Sequence, residues 1–152
     1  MKSFAFKLIA LLRLRETKKN QALAQFASSV KKVKNLVDEL GKTRANYESV
    51  LKLVLQKQQN DFSGVQIQAL QNSLNLEREK LEQIELQLKQ AKSIQESRRN
   101  IFVNKDSEHK AILRLSEKQK DEHYQKEYQK EQKELEDITG SRFLFQRINR
   151  QA

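Results

Sequence analysis

The 152-residue chain has no proline, no cysteine and no tryptophan, and only three glycines: Gly41, Gly64 and Gly140. With no proline and so little glycine, its composition favours long uninterrupted helices. The absence of cysteine excludes disulfides and thiolate metal sites and agrees with a reducing compartment. No apolar run reaches the roughly 18 residues that span a bilayer. The opening stretch, Met1 to Leu12, is broken by Lys7 and followed by Arg13, Arg15, Lys18 and Lys19, so it reads as mature protein rather than a leader. Apolar residues are scarce as well, 37% against 33% charged. That is too little for a thick core, but enough for a narrow seam between two helices.

What the chain does have is a heptad pattern. From Phe26 the positions Phe26, Val30, Val33, Val37, Leu40, Arg44, Tyr47, Leu51 and Val54 alternate in steps of four and three, with Arg44 as the one charge. A second row runs Ile67, Leu70, Leu74, Glu77, Leu81, Ile84, Leu88 and Ala91. Both are a/d seams of a coiled coil. Between them, Asn60-Asp61-Phe62-Ser63-Gly64 is a cluster of turn-type residues. The reading is therefore an all-α, two-helix antiparallel coiled-coil hairpin. Its first arm covers about 4–60, the turn 61–66, the second arm 67–139 and a C-terminal tail 140–152. With the turn centred near Ser63, residue i faces roughly residue 127 − i, so Leu40 meets Leu88. Residues after about Tyr124 then have no partner helix. β-branched and Asx residues at Ile101–Ser107 suggest a kink. The apolar cluster Phe143, Leu144, Phe145 and Ile148, just after Gly140, suggests a separate short helix or a docking tail.

The net charge of +10 is uneven: +8 over residues 1–34, −1 over 35–97 and +3 over 98–152. A hairpin brings the two basic stretches to the end where the termini meet. Lys31, Lys32 and Lys34 alternate with seam positions and acids are interspersed elsewhere, which favours a solvated charged face over a nucleic-acid reader. An amphipathic membrane helix at Phe4–Arg15 is the weaker reading of a stretch that also fits the first turns of the arm.

Catalysis finds little support. His109 and His123 are the only histidines and stand too far apart for a metal pair on adjacent turns, so no metal or cofactor is expected. They read instead as solvent-exposed or seam-flanking residues. Glu77, Glu79, Glu82 and Glu85 lie on an exposed helical surface without a pocket to shift their pKa values. No phosphate-binding glycine loop or nucleophile elbow is present.

Two motifs carry a resemblance. Phe4-Ala5-Phe6-Lys7-Leu8-Ile9-Ala10-Leu11-Leu12-Arg13-Leu14-Arg15-Glu16 resembles the opening of the FliJ family, F-x-F-x-L-x-x-L-L-x-L-R/K-E. Tyr124, Glu131-Gln132-Lys133-Glu134-Leu135-Glu136-Asp137 and Arg142-Phe143 resemble that family's E-Q-K-E-L-D-E stretch and trailing basic–aromatic pair. The resemblance covers essentially the whole chain. It implies a non-enzymatic, cytoplasmic component of the flagellar type III export apparatus, associated with the cell membrane only through partners. It implies a coiled coil similar to the central stalk of rotary ATPases, inserted into the hexameric export ATPase by the end where the termini meet. Contact with the export-gate protein FlhA, and in some members with export chaperones, is implied too.

The candidate ATPase contacts are Phe4, Arg13, Arg15, Arg142, Phe143 and Phe145. The candidate gate contacts are Leu36, Leu40, Tyr47, Leu70 and Leu74. The second arm reads Ile67-Gln68-Ala69-Leu70 where the family often shows Tyr-Gln-x-Phe, a departure from the family pattern at the gate contact. Stalk proteins of virulence secretion systems share the architecture and are the nearest alternative. A basic coiled coil binding nucleic acid or anionic membrane is the alternative of another class.

Overall fold

Heptad-spaced apolar residues on a chain without proline leave water by forming long helices that bury one stripe against each other. The computed structural model describes residues 2–59 and 63–151. In it α1 spans Ile9–Gln59 (51 residues) and α2 spans Gly64–Gln151 (88 residues). Among the described residues there is no strand, and the two helices form an all-α hairpin. Part of the expected turn, residues 60–62, lies outside the described residues. At its far edge the Ser63 carbonyl accepts the N–H groups of Gln66 (3.0 Å) and Ile67 (3.2 Å), so α2 starts at Gly64 rather than Ile67.

The chain divides into two compact units, residues 19–105 and residues 1–18 with 106–152. Within 19–105 the helices run antiparallel in close to the expected register. Phe26 stacks on Phe102 with ring centroids 6.2 Å apart, and Arg44 pairs with Glu85 at 3.5 Å. Leu40 is therefore level with Leu88, and both lie in the seam, buried and half-buried respectively.

The α2 row is as expected: Ile67, Leu70, Leu74, Glu77, Leu81, Ile84, Leu88 and Ala91 are all buried or half-buried. Six of the nine positions of the α1 row are as expected. Phe26, Val33, Leu40, Tyr47, Leu51 and Val54 line the seam, but the other positions are Ser29, Leu36 and Thr43, not Val30, Val37 and Arg44. Val30 and Val37 are 39% and 47% exposed, and Arg44 is exposed.

The physical reason lies in two hydroxyls. Ser29 donates to the Phe26 carbonyl at 2.6 Å and Thr43 to the Glu39 carbonyl at 2.9 Å, so both are buried with their hydrogen bond made inside their own helix. Ser29 thus fills the seam in place of Val30 and Thr43 in place of Arg44, while Leu36 takes the place of Val37. Even the most buried seam residues, Ser29 and Ala91, keep 4% of their surface exposed, as expected of a two-helix seam one layer thick.

In the other unit, α1 begins at Ile9, not at Phe4. Residues 2–6 are not helical, and the Phe6 carbonyl accepts the N–H of Ile9 at 3.3 Å as the helix opens. Phe4 and Phe6 explain the delay. In a helix they would point about 200° apart, whereas an extended chain turns both to one side. Both pack: Phe6 is buried, Phe4 half-buried, and their rings stack at 6.5 Å. α2 runs unbroken through Ile101–Ser107 and through Gly140, so no separate terminal helix is present. A single glycine costs about 1 kcal/mol relative to alanine, too little to end a helix of this length. From Tyr128 to Gln151 every residue is exposed.

Candidate functional site

The six residues singled out for ATPase contact, Phe4, Arg13, Arg15, Arg142, Phe143 and Phe145, all fall in the unit made of 1–18 and 106–152. Their surroundings differ. Phe4 belongs to a cluster at the start of the chain: its ring centroid lies 5.7 Å from that of His123, which in turn meets Tyr124 edge-on at 5.4 Å. His123 Nε2 lies 2.9 Å from the Lys2 carbonyl oxygen. A carbonyl only accepts, so this bond puts a proton on Nε2. Beside the cluster is an open groove of about 540 Å³ whose lining includes Lys7 and Lys126.

Arg15 is half-buried, and its guanidinium donates to the Glu108 carbonyl at 3.1 Å, so it ties α1 to α2. Arg13 is exposed. Arg142, Phe143 and Phe145 stand on the exposed stretch of α2, the two phenylalanines with 63% and 66% of their surface open.

Phe6 and His123 were not among the candidates. The signal for Phe6 was available in the two-residue spacing Phe4-x-Phe6, which helical periodicity cannot use. His123 gave no signal of its own, because its role comes from a segment more than a hundred residues away. Phe6→Ala should release residues 2–8 from α2. We expect amide exchange at Ile9 and Leu12 to quicken by about tenfold, the equivalent of roughly 1.4 kcal/mol of lost burial, read by hydrogen-exchange mass spectrometry.

A family model for the flagellar FliJ protein matches residues 4–147. The chain belongs to the FliJ family. The match takes in both the segment that packs at His123 and the exposed C-terminal stretch as far as Arg147, and it connects the chain with flagellar protein export. No curated protein and no solved structure matches it.

The residues proposed for FlhA contact from the FliJ-family pattern lie in the other unit, 19–105. Leu36, Leu40 and Leu74 are buried in the seam, while Tyr47 and Leu70 are half-buried at its edge. Burial leaves the three leucines to hold the helices together, and only Tyr47 and Leu70 keep surface for another molecule. Fifteen bases and eleven acids give +4 in the unit of 1–18 and 106–152, and fifteen bases and nine acids give +6 in 19–105. Much of the excess in residues 1–34 sits beyond Lys18, at Lys19, Lys31, Lys32 and Lys34.

Among the described residues, no helix is long and apolar enough to cross a membrane, and no group of three or more His, Asp or Glu is placed to hold a metal ion.

Proposed function

We propose that this FliJ-family chain is a stalk of the flagellar export apparatus that binds the hexameric export ATPase through residues 1–18 and 128–151. The observation that carries this reading is the stretch from Tyr128 to Gln151, which is exposed throughout and displays Phe143, Leu144, Phe145 and Ile148 among Arg142, Arg147 and Arg150. Large apolar side chains left in water on a basic helix mark an interaction surface. In this reading the contact is one of shape and charge steering, with no chemistry supplied by the stalk. Residues 19–105 contact FlhA at the edge formed by Tyr47 and Leu70, export chaperones are further partners, and the chain reaches the cytoplasmic face of the membrane through these proteins.

The test is pull-down and ATP hydrolysis with the cognate ATPase. Arg13 is the cleanest charge to reverse, because Arg15 is engaged with Glu108 and its loss would disturb packing. Arg13→Glu should leave helicity unchanged and weaken ATPase binding roughly three- to tenfold, an effect that shrinks as salt is raised. Equal binding by both proteins at low salt would remove the α1 end from the contact.

A further inference from the structure

The exposed stretch of α2 carries a second pattern. Its residues Tyr128, Leu135, Ile138 and Phe145 follow a 7-3-7 spacing, each with more than half its surface exposed. With Glu131 and Arg142 they form one heptad stripe, in steps of three and four. The stripe reads the same from either end. Two copies laid antiparallel about the point between Glu136 and Asp137 place Tyr128 level with Phe145, Glu131 with Arg142 and Leu135 with Ile138, and then the same three layers in reverse. Aromatic meets aromatic and aliphatic meets aliphatic.

The charge outside the stripe agrees. Residues 128–137 carry net −2 and residues 140–151 net +3, so antiparallel pairing sets each half against its opposite. A parallel pair would stack Arg142 on Arg142 and set each half against its own charge. We infer that the occupant of this stripe is a second copy of the chain, joined through residues 128–151 as a symmetric antiparallel two-helix coil. Such an interface is isologous and closes at two copies. It covers Phe145 and leaves Phe143, Leu144, Arg147 and Arg150 outside the stripe. The inference rests on the chain alone and does not depend on the ATPase reading.

Sedimentation velocity across a micromolar concentration series should show a reversible dimer of the full chain. Leu135→Glu puts a carboxylate against Ile138 of the partner and should weaken association at least about tenfold without loss of helicity, since Leu135 packs on nothing in the free chain. Orientation is tested by crosslinking, because the chain has no cysteine of its own. A mixture of Tyr128→Cys and Phe145→Cys chains should form disulfide-linked pairs on mild oxidation. Tyr128→Cys alone should not, because its two thiols would lie about 25 Å apart along the coil. A chain that stays monomeric throughout the series, a dimer indifferent to Leu135→Glu, or self-linking by Tyr128→Cys would each overturn the proposal.

Discussion

Leu40→Asp should lower the stability of the 19–105 unit by roughly 3 kcal/mol, and Val37→Asp by only about 0.5 kcal/mol, although both are apolar residues of the same helix. Leu40 is 8% exposed and stands in the seam, whereas Val37 is 47% exposed. Aspartate at Leu40 forfeits the burial of a leucine and brings a carboxylate against the apolar face around Leu88. Water lies one layer away, so the charge can reach it by a small opening of the seam, which holds the cost near 3 kcal/mol rather than that of a deep core. For a unit of this size that corresponds to a fall in melting temperature of roughly 12–24 °C. Valine and aspartate have similar helix propensities, so Val37→Asp changes little besides partly exposed surface. Thermal unfolding followed by circular dichroism separates the two variants. Equal losses would mean that Val37, not Leu36, occupies the seam and that the packing phase of α1 is wrong.

That contrast shows how far the sequence could be read. The α2 seam was legible position by position from Ile67 to Ala91, because every member except Glu77 is aliphatic and the heptad phase has no competitor. The α1 seam was legible at Phe26, Val33, Leu40, Tyr47, Leu51 and Val54, and ambiguous elsewhere, since each remaining seam position has an alternative one residue along. Apolarity chose Val30 and Val37, and the charge at Arg44 was the warning that this phase was one residue off. Burial of Ser29 and Thr43 depends on hydroxyl bonds to Phe26 and Glu39 of the same helix, which a count of apolar residues does not register. The chain start was misread for a related reason. Leu8, Leu11 and Leu12 suit a helix, but Phe4 and Phe6 obey a two-residue period, and the partner that rewards it is His123, far along the sequence.

Among the candidate contacts, sequence reasoning chose residue types well suited to interfaces but could not tell which of them the fold consumes. Leu36, Leu40 and Leu74 are taken by the seam and Arg15 by the Glu108 carbonyl. Arg13, Arg142, Phe143 and Phe145 remain open. The motif that singles out a residue for a partner and the heptad that singles it out for packing use the same apolar alphabet, so only the observed exposure separates them.

Deleting residues 140–152 should abolish most stimulation of the export ATPase while preserving the fold. The segment removes Arg142, Arg147 and Arg150 together with Phe143, Leu144, Phe145 and Ile148, all exposed, so no seam contact is lost. Helix content should fall only by the residues removed, and the melting temperature by no more than a few degrees, since these positions bury nothing in the chain. If the ATPase contact gathers its apolar anchors here, losing these four side chains costs several kcal/mol of binding, a drop of a hundredfold or more in affinity. The same deletion removes Arg142 and Phe145 from the self-complementary stripe, so a control must separate the two effects. Leu135→Glu disrupts pairing between copies but retains every residue after 139, and it should stimulate hydrolysis at least as well as the unaltered chain. Undiminished stimulation by the deletion variant would move the ATPase contact off this stretch, to the Phe4–His123 end or to the edge at Tyr47 and Leu70. Loss in both variants would mean that the ring engages the Leu135 face itself, with the dimer and the ATPase competing for one stripe.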